Sequence, residues 1–402
     1  MADAAVLAEV KRTHPHLRFA RHWEVGEEVS FLLGKCAAMA EAIGTLPLAP
    51  EKRKELMRVA LIKGAQATTA IEGNSLSDEQ VAKVADGIQL SPSMRYQEVE
   101  VRNVIDALNT VLRELCQGGD APVITPDLIL NFHRAVGKDL GEHLDAAPGR
   151  FRERGVQVGG YLAPKHPCVK PLVEALCEWL RREFSYDGGR HDFRLAMVEA
   201  VVTHLYIAWI HPFSDGNGRT ARLLEFYILT RCGLPDLAAH ILSNHYNLTR
   251  PEYYRQIGQA TANGGNLSAF LRYAVTGLHD GMRDVLSVIE RHQLDTCWRN
   301  HVYARLDEER GRLDKARRKR LVAVALQLEL LKDYGADELL QTVPGVAAAY
   351  VGKSLRTFHR DLEDLERLTI LRRQNGKLGA NLDAIMPHLS KRRLVRPGAE
   401  SA

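Results

Sequence analysis

The chain has 402 residues, of which 45% are apolar, 26% charged and 6% aromatic. This length predicts two or three domains of an ordinary globular protein, and the formal net charge of +4 does not by itself imply nucleic acid. Six cysteines without a CxxC pair predict reduced thiols in the cytoplasm. We expect no signal peptide, and no apolar run of about 18 residues that would cross a membrane.

Most of the chain is predicted to be helical, because apolar residues recur at helical spacing. The predicted helices of the first part of the chain cover, in order, 27–43, 51–72, 97–116, 125–136, 169–183, 193–210, 219–232, 250–262 and 266–291. The segment 148–167 differs, because it is rich in glycine and proline and contains β-forming residues. That composition predicts a short β-hairpin or flap.

The last part of the chain predicts a smaller unit. A heavily charged stretch at 292–319 suggests a linker helix, and further helices are predicted at 320–334 and at 354–366, the second capped by Ser354. The Asn-Gly pair that follows indicates a hairpin turn between basic residues. Helices followed by a basic hairpin resemble a winged helix-turn-helix, which predicts possible DNA binding through 354–377. The alternative is a protein-interaction or dimerisation module.

The segment 211–222 reads His-Pro-Phe-Ser-Asp-Gly-Asn-Gly-Arg-Thr-Ala-Arg. Gly216-Asn217-Gly218 favours a backbone nest of N–H groups at a helix N-terminus, which is an anion site. Arg219 and Arg222 share one face of that helix and suit a polyphosphate. Asp215 and phosphate oxygens together are ligands that Mg²⁺ prefers. His211, at the end of a buried helix, is a candidate general base.

Each of these features has an ordinary structural explanation when it stands alone. A histidine at a helix end is usually structural, a lone Gly-Asn-Gly is usually a turn, and paired arginines usually form a solvated face. Their order within one short segment is more specific. The segment matches the Fic family signature HPFx(D/E)GNGRxxR at every specified position, and the resemblance covers roughly residues 50–285.

The resemblance implies a protein adenylyltransferase that moves AMP from ATP to a Ser, Thr or Tyr hydroxyl. By this resemblance His211 is the catalytic base, Asp215 holds Mg²⁺, and the second arginine, Arg222, meets the γ-phosphate. The other implied nucleotide-binding residues are Gly216, Asn217, Gly218, Arg219, Thr220, Val158, Gly159, Gly160, Tyr161 and Tyr254. Gly218 favours nucleotidyl transfer, because a related phosphate-transferring toxin has lysine there. The flap at about 156–162 is implied to bind the target as an added strand.

Residues 68–73 resemble the inhibitory motif (S/T)xxxE(G/N) of autoinhibited Fic proteins, with Thr68, Glu72 and Gly73 in the defining places. A carboxylate one turn beyond Thr68 would pair with Arg222 and occupy the place of the γ-phosphate. The plain alternative is a surface glutamate at a helix C-terminus. In some relatives this glutamate also helps to remove AMP, so a bifunctional enzyme stays open.

The predicted fold class is mainly α, a Fic helical bundle with a short β-hairpin flap and a C-terminal winged helix-turn-helix. The predicted domains are 1–95 with an inhibitory helix at about 54–73, a catalytic core at 96–290, a charged linker helix at 291–319, a winged-helix-like domain at 320–382 and a tail at 383–402. Expected partners are ATP with Mg²⁺ and a hydroxyl-bearing protein, for which the chain itself is one candidate. DNA and a second copy are further candidate partners, and no membrane is expected. The alternative function is a DNA-binding transcriptional regulator with the Fic domain as a nucleotide sensor.

Overall fold

The structure is a computed structural model that describes residues 4–116, 123–184 and 192–386. Most of the predicted tail, from residue 387 onward, lies outside the described residues. The chain divides into two compact units, Met1–Ser287 and Val288–Ala402. All six cysteines are free thiols, as the sequence predicts.

The first unit is helical apart from one two-stranded ladder. Its helices are α1 (Ala4–Thr13), α2 (Glu27–Thr45), α3 (Pro50–Ala70), α4 (Asp78–Ala85), α5 (Arg95–Cys116), α6 (Pro126–Val136), α7 (Val169–Glu183), α8 (Phe193–Ile210), α9 (Asn217–Arg231), α10 (Ile241–Leu248), α11 (Arg250–Ala262) and the first part of α12 (Ser268–Glu308). The sequence prediction missed α1, α4 and α10. Two of these have eight residues each, which is too short for a clear periodic pattern.

Helices α8 and α9 form the centre of this unit and carry the two ends of the sequence motif. They pack against each other, while α5 packs on α3, α6 and α9. Helix α8 begins where Asp192 accepts a hydrogen bond from the N–H of Arg194, and it is buried on all sides. Helix α6 begins at Pro126 after Thr125, whose hydroxyl accepts from the N–H of Leu128, as the sequence predicts. The motif loop, residues 211–216, therefore connects two rigid central helices.

One helix of the described residues, α8, is long and apolar enough to cross a membrane by length and composition, which differs from the sequence expectation. In the structure 78% of this helix is buried inside the protein. Burial of this kind is typical of the core helix of a bundle.

The second unit contains the end of α12, four shorter helices and a hairpin. These are α13 (Lys315–Gln327), α14 (Ala336–Thr342), α15 (Pro344–Ala349), α16 (Leu355–Arg367), β3 (Leu371–Gln374) and β4 (Lys377–Ala380). The hairpin is antiparallel, and its turn is formed by Asn375 and Gly376 with φ of 50° and 77°. This turn was predicted from the Asn-Gly pair and is confirmed.

Two predictions for the second unit differ from the structure. The helix predicted at 320–334 ends at Gln327, and Tyr334 instead exchanges two backbone hydrogen bonds of 2.7 Å with Leu378 of β4. Trp298 and Leu306, within the segment predicted as a linker, are buried in the core with Phe358 and other apolar side chains of this unit. The compact unit therefore begins earlier than residue 320, because the end of α12 supplies one wall of its core.

Candidate active site

His211 caps the C-terminus of α8 in a left-handed conformation with φ of 48°. Its Nδ1 lies 3.4 Å from the carbonyl oxygen of Ala208. With the proton placed on Nδ1, facing that carbonyl, Nε2 keeps its lone pair for another proton. Burial lowers the pKa of His211 below its ordinary value of 6.5. The imidazole is therefore neutral at neutral pH, which is the form that a general base requires.

The buried side chain of Arg152 ties the base of the flap to this histidine. Its Nε donates to the carbonyl oxygen of His211 at 2.7 Å, and its Nη1 donates to the carbonyl oxygen of Arg154 at 2.8 Å. Its Nη2 donates to the carbonyl oxygen of Pro164. The backbone N–H of Arg152 donates to the carbonyl oxygen of Pro212 at 3.0 Å. Arg152 thus fixes His211 and both ends of the flap together, a role that the sequence analysis missed.

His133 on α6 holds the other end of the motif loop. The N–H of Gly149 donates to its Nδ1 at 3.0 Å, so the ring proton lies on Nε2, which donates to the carbonyl oxygen of Asp215 at 3.0 Å. The ring also stacks on Phe213 with a centroid distance of 3.6 Å. Burial lowers the pKa of His133 to about 4, so it stays neutral and can make both bonds. The sequence analysis did not identify this histidine.

Two motif residues that were predicted to bind nucleotide form side-chain hydrogen bonds to the backbone of the motif loop. The amide of Asn217 accepts from the N–H of Phe213 at 2.9 Å and donates to the same residue's carbonyl oxygen at 2.8 Å. The hydroxyl of Thr220 donates to the carbonyl oxygen of Gly216 at 2.9 Å. Gly216 itself has φ of 81°, a conformation that favours glycine. The backbone N–H groups in the first turn of α9 precede the helix's own hydrogen bonds and are therefore the donors of the predicted anion site.

Arg219 is buried and held by two carboxylates. Its Nη1 donates to Glu100 Oε1 at 2.5 Å and its Nη2 donates to Asp215 Oδ1 at 3.2 Å. Glu100, on α5, was not found from the sequence; its second oxygen accepts from the amide of Asn74 at 2.8 Å. Burial raises the pKa of Glu100, against the opposing charge of Arg219. This pair fixes the guanidinium of Arg219 beside the carboxylate of Asp215.

Arg222 is one of the largest fully buried side chains of the described residues. Its Nη2 donates to Glu72 Oε1 at 2.6 Å and to the carbonyl oxygen of Thr68 at 2.8 Å. Its Nε and Nη1 are buried and have no hydrogen-bond partner among the described residues. Buried guanidinium nitrogens without partners are rare in native proteins and indicate a site that a further acceptor can fill.

The Glu72 turn, residues 71–73, places a carboxylate on the anion site. A Cβ added at Gly218 would collide with Glu72 Oε1, so this oxygen lies directly against the backbone of the predicted phosphate nest. Burial acts to raise the pKa of Glu72, but the charge of Arg222 and its hydrogen bond outweigh it and hold that pKa below 4.5. Glu72 is therefore ionised and occupies the place that the sequence assigns to phosphate.

Details of this turn correct the predicted picture. Helix α3 ends at Ala70 rather than at Glu72, and Gly73 follows with φ of 103°. Thr68 meets Arg222 through its backbone carbonyl and not through its hydroxyl. The exposed Tyr254 donates from its hydroxyl to the carbonyl oxygen of Ile71 at 3.3 Å. Tyr254 therefore contacts the Glu72 turn directly.

The flap, residues 156–162, contains the antiparallel strands β1 (Gln157–Val158) and β2 (Tyr161–Leu162). Val158 and Leu162 are exposed, and Gly159 has φ of 56° at the turn, with open space around both Gly159 and Gly160. The hydroxyl of Tyr161, however, donates to the carbonyl oxygen of Trp209 on α8 at 2.7 Å. The polar end of Tyr161 thus anchors the flap and does not face an open pocket.

Two histidines near the N-terminus, His14 and His16, contact the second strand of the flap. His14 Nε2 lies 3.0 Å from the carbonyl oxygen of Leu162, and His16 Nε2 lies 3.0 Å from the hydroxyl of Tyr161. That hydroxyl already donates to Trp209, so it accepts from His16. Burial lowers the pKa of His16 to about 4, which keeps its ring neutral. The sequence analysis did not connect residues 14–16 with the flap.

The chemistry of Asp215 fits a magnesium ion held partly by substrate. Its side chain keeps 36% exposure while pairing with Arg219. Among the described residues there is no group of three or more His, Cys, Asp or Glu side chains that would hold a metal alone. Mg²⁺ is commonly bound by one or two carboxylates together with substrate phosphates. One partly exposed carboxylate beside an anion nest matches that requirement.

Comparison with known proteins shows what this segment is similar to. Residues 123–229 match the Fic/DOC family model. Among curated proteins, the protein adenylyltransferase Fic of Nematostella vectensis is 28% identical over 272 residues, 67% of this chain and 57% of that protein. Protein adenylyltransferase fic-1 of Caenorhabditis elegans is 31% identical over 223 residues, 55% of this chain and 40% of that protein. The chain thus spans about half the length of these curated relatives.

Solved structures share the fold. A Fic family protein from Desulfovibrio desulfuricans superposes with a TM-score of 0.54 and 20% identity, covering 90% of this chain and 98% of that one. A fragment of Fic-1 from C. elegans gives a TM-score of 0.53 at 24% identity, covering 65% of this chain and 73% of that one. At these identities the likeness establishes a mainly helical Fic fold and no more.

Proposed function

We propose that this chain is a protein adenylyltransferase that transfers AMP from ATP to a Ser, Thr or Tyr hydroxyl of a protein. The observation that carries the proposal is the motif loop itself. It holds the neutral imidazole of His211 at one end and the anion nest at Gly216–Gly218 at the other, beside Arg219 and Arg222. The names of the curated relatives, protein adenylyltransferase Fic and fic-1, support the same activity.

The proposed reaction is an in-line displacement at the α-phosphorus of ATP. His211 Nε2 takes the proton of the target hydroxyl, whose oxygen forms a bond to the α-phosphorus. The bond from that phosphorus to the bridging oxygen of the β-phosphate breaks, and pyrophosphate leaves with that electron pair. The N–H groups of the first turn of α9 and the guanidinium groups of Arg219 and Arg222 hold the phosphate oxygens. Mg²⁺, held by Asp215, would neutralise charge on those oxygens.

In this proposal the Glu72 turn is an intrinsic inhibitor. Glu72 Oε1 accepts from Arg222 at 2.6 Å and lies against Gly218, so a phosphate cannot use the same donors at the same time. Two carboxylates, the buried Glu100 and the partly exposed Glu72, face two buried arginines, and Glu72 is the one whose oxygen covers the nest. Displacing Glu72 would free the guanidinium of Arg222 for the γ-phosphate.

The flap is proposed to present the target. Its strands are short, and Val158 and Leu162 leave 45% and 65% of their surface exposed. Exposed strand edges bind extended peptides by adding a strand to a sheet. Because Arg152 ties the flap to the carbonyl oxygen of His211, a hydroxyl on such a peptide would be positioned relative to the base.

The proposed location of the protein is the cytoplasm.

The test is transfer of label from α-³²P-ATP with Mg²⁺ by three proteins: the wild type, Glu72→Gly, and Glu72→Gly with His211→Ala. We expect strong self-labelling or lysate labelling by Glu72→Gly, at least about tenfold above the wild type, because the carboxylate that competes for buried Arg222 is removed. The double variant should not label.

A parallel reaction with γ-³²P-ATP is the control for the group transferred. Label from the γ-position would mean phosphoryl transfer and would contradict the proposal. Absence of labelling by Glu72→Gly with either nucleotide, in a protein that still binds ATP, would favour the nucleotide-sensing regulator instead.

A further inference from the structure

Most arginines of the second unit's basic segments are paired within the unit. Arg317 and Arg320 pair with the buried Asp361, and Arg372 and Arg373 pair with acidic partners beside the hairpin. Arg318, in the basic run that the sequence analysis noted at 315–320, pairs with Asp307. These cations stabilise the unit and are not a free basic surface.

A second group of cations at the start of α16 is exposed and unpaired. Lys353, Arg356 and Arg360 have no side-chain hydrogen bond or ion pair within the described part of the chain, and all three are exposed. Arg356 and Arg360 are four residues apart and therefore lie on one face of the helix. Glu363, one turn further on and also exposed, marks where this basic face ends.

Apolar side chains lie exposed among these cations. Val351 leaves 79% of its surface exposed and Leu355 leaves 61%. Val351 precedes α16 and Leu355 is its first residue, directly after Ser354, which caps the helix by accepting from the N–H of Thr357. The opposite face of α16 is buried through Phe358, Leu362 and other core residues. The N-terminal end of α16 thus combines positive charge on one face, exposed methyl groups beside that face and a helix N-terminus.

The arrangement around α16 indicates the ligand. Helix α15 is followed by a turn at Gly352, with φ of 71°, then by α16 and by the β3–β4 hairpin, to whose second strand Tyr334 adds a bridge. Two helices joined by a short turn and followed by a hairpin are the arrangement of a winged helix-turn-helix. In helix-turn-helix proteins the N-terminal residues of the second helix reach the major groove.

We propose that α16 binds duplex DNA in the major groove through Lys353, Arg356 and Arg360. Their positive charge complements the phosphates, and the N-terminus of the helix adds favourable backbone N–H groups. Leu355 and Val351 provide apolar contacts of the kind that meet thymine methyl groups. Lys377, exposed at the tip of the hairpin and without an ion pair within the described ranges, supplies a backbone contact beside the helix. This site is independent of adenylyl transfer.

The test is fluorescence anisotropy of the full chain with a pool of random-sequence DNA duplexes, at salt concentrations from about 50 to about 200 mM. The variant Arg356→Gln/Arg360→Gln should bind at least about tenfold more weakly at low salt. The slope of log affinity against log salt should fall by about 2, which is the loss of two phosphate contacts. The circular dichroism spectrum should not change, because neither side chain has a partner in the structure.

The matched control is Lys315→Gln/Lys319→Gln on α13, which also removes two exposed charges four residues apart. It should change the affinity by less than about twofold and leave the salt slope unchanged. If both double variants weaken DNA binding equally, the assignment of the binding surface to the Arg356 and Arg360 face of α16 is overturned. Absence of duplex binding, including after enrichment of the random pool, would overturn the DNA proposal. If the chain binds poly-glutamate instead, and the Arg356→Gln/Arg360→Gln variant loses that binding, the ligand of this face is an acidic protein and not DNA.

Discussion

Each unit of this chain contains a cluster of arginines and carboxylates, and the two clusters differ in one respect. In the second unit Asp361 accepts from Arg317, Arg320 and the hydroxyl of Tyr350. No buried nitrogen of Arg317 or Arg320 lacks a partner. In the first unit Arg222 pairs with Glu72 but has two buried nitrogens without a hydrogen-bond partner among the residues that the structure describes.

The difference separates a cluster with a structural role from the cluster at the proposed phosphate site. Both clusters bury charge, which is unfavourable unless the geometry and the hydrogen bonds are complete. The cluster around Asp361 is complete, so it needs nothing from outside. The cluster around Arg222 is incomplete, and its carboxylate, Glu72, lies on a turn and not within a helix. An ion-pair cluster with free donors and one displaceable partner is what a regulated anion site requires.

The comparison predicts that Asp361→Ala has the largest effect, a loss of stability in the second unit. Removing this carboxylate takes the acceptor from the guanidinium of Arg320 and the phenol of Tyr350, and leaves Arg317 with Asp364 alone. We expect the second unit to lose about 3–5 kcal/mol of unfolding free energy. Urea unfolding followed by the fluorescence of Trp298, buried in this unit, is the measurement. Asp364→Ala is the control, because Asp364 is partly exposed and should cost about 1 kcal/mol or less. Equal losses of unfolding free energy in the two variants would contradict the distinction between the buried Asp361 and the partly exposed Asp364.

A second prediction concerns Arg222→Lys in the Glu72→Gly background. An ammonium group cannot reproduce the two free guanidinium nitrogens, so AMP labelling should fall about 100-fold. Arg320→Lys in the same background is the matched control and should leave labelling within about twofold, because its partners belong to the complete cluster. A labelling rate that Arg222→Lys leaves unchanged would remove Arg222 from the proposed phosphate site.

The smallest expected effect is that of pH on the rate of AMP labelling. Burial lowers the pKa of His211 below 6.5, so the neutral base persists as the pH falls from about 8 to about 6.5. Labelling by Glu72→Gly should vary by less than about twofold over this range and fall only at lower pH. In the wild type, acidification to about pH 6 should not activate labelling, because the pKa of Glu72 lies below 4.5. Activation of the wild type on acidification would indicate that Glu72 is not held by Arg222.

Much of the fold was accessible from the sequence because long helices have strong apolar periodicity. Helices α7, α8 and α11 were predicted with the bounds that the structure has. The end of α12 was misread as a linker, because its charged exposed residues obscure the buried positions of Leu294, Trp298 and Leu306. Periodicity also cannot show that residues 328–334 leave the helix to pair with a strand, since that depends on a partner far along the chain.

The site was predictable only where its residues are adjacent in sequence. The motif loop and Glu72 could be found as patterns, but Glu100, His133 and Arg152 come from three separate segments and meet the motif only in the fold. Asn217 and Thr220 show the opposite case, in which a motif position is structural. Their side chains hold the loop's backbone, and no sequence pattern distinguishes that role from contact with a ligand.

The bonds of Arg152 have a consequence for how the proposed activity could acquire new targets. All of its side-chain acceptors, on His211, Arg154 and Pro164, are main-chain oxygens. Replacing side chains along the flap therefore leaves this attachment to the histidine intact. Under the proposed function, target preference can diverge through the flap's own side chains without any change at His211.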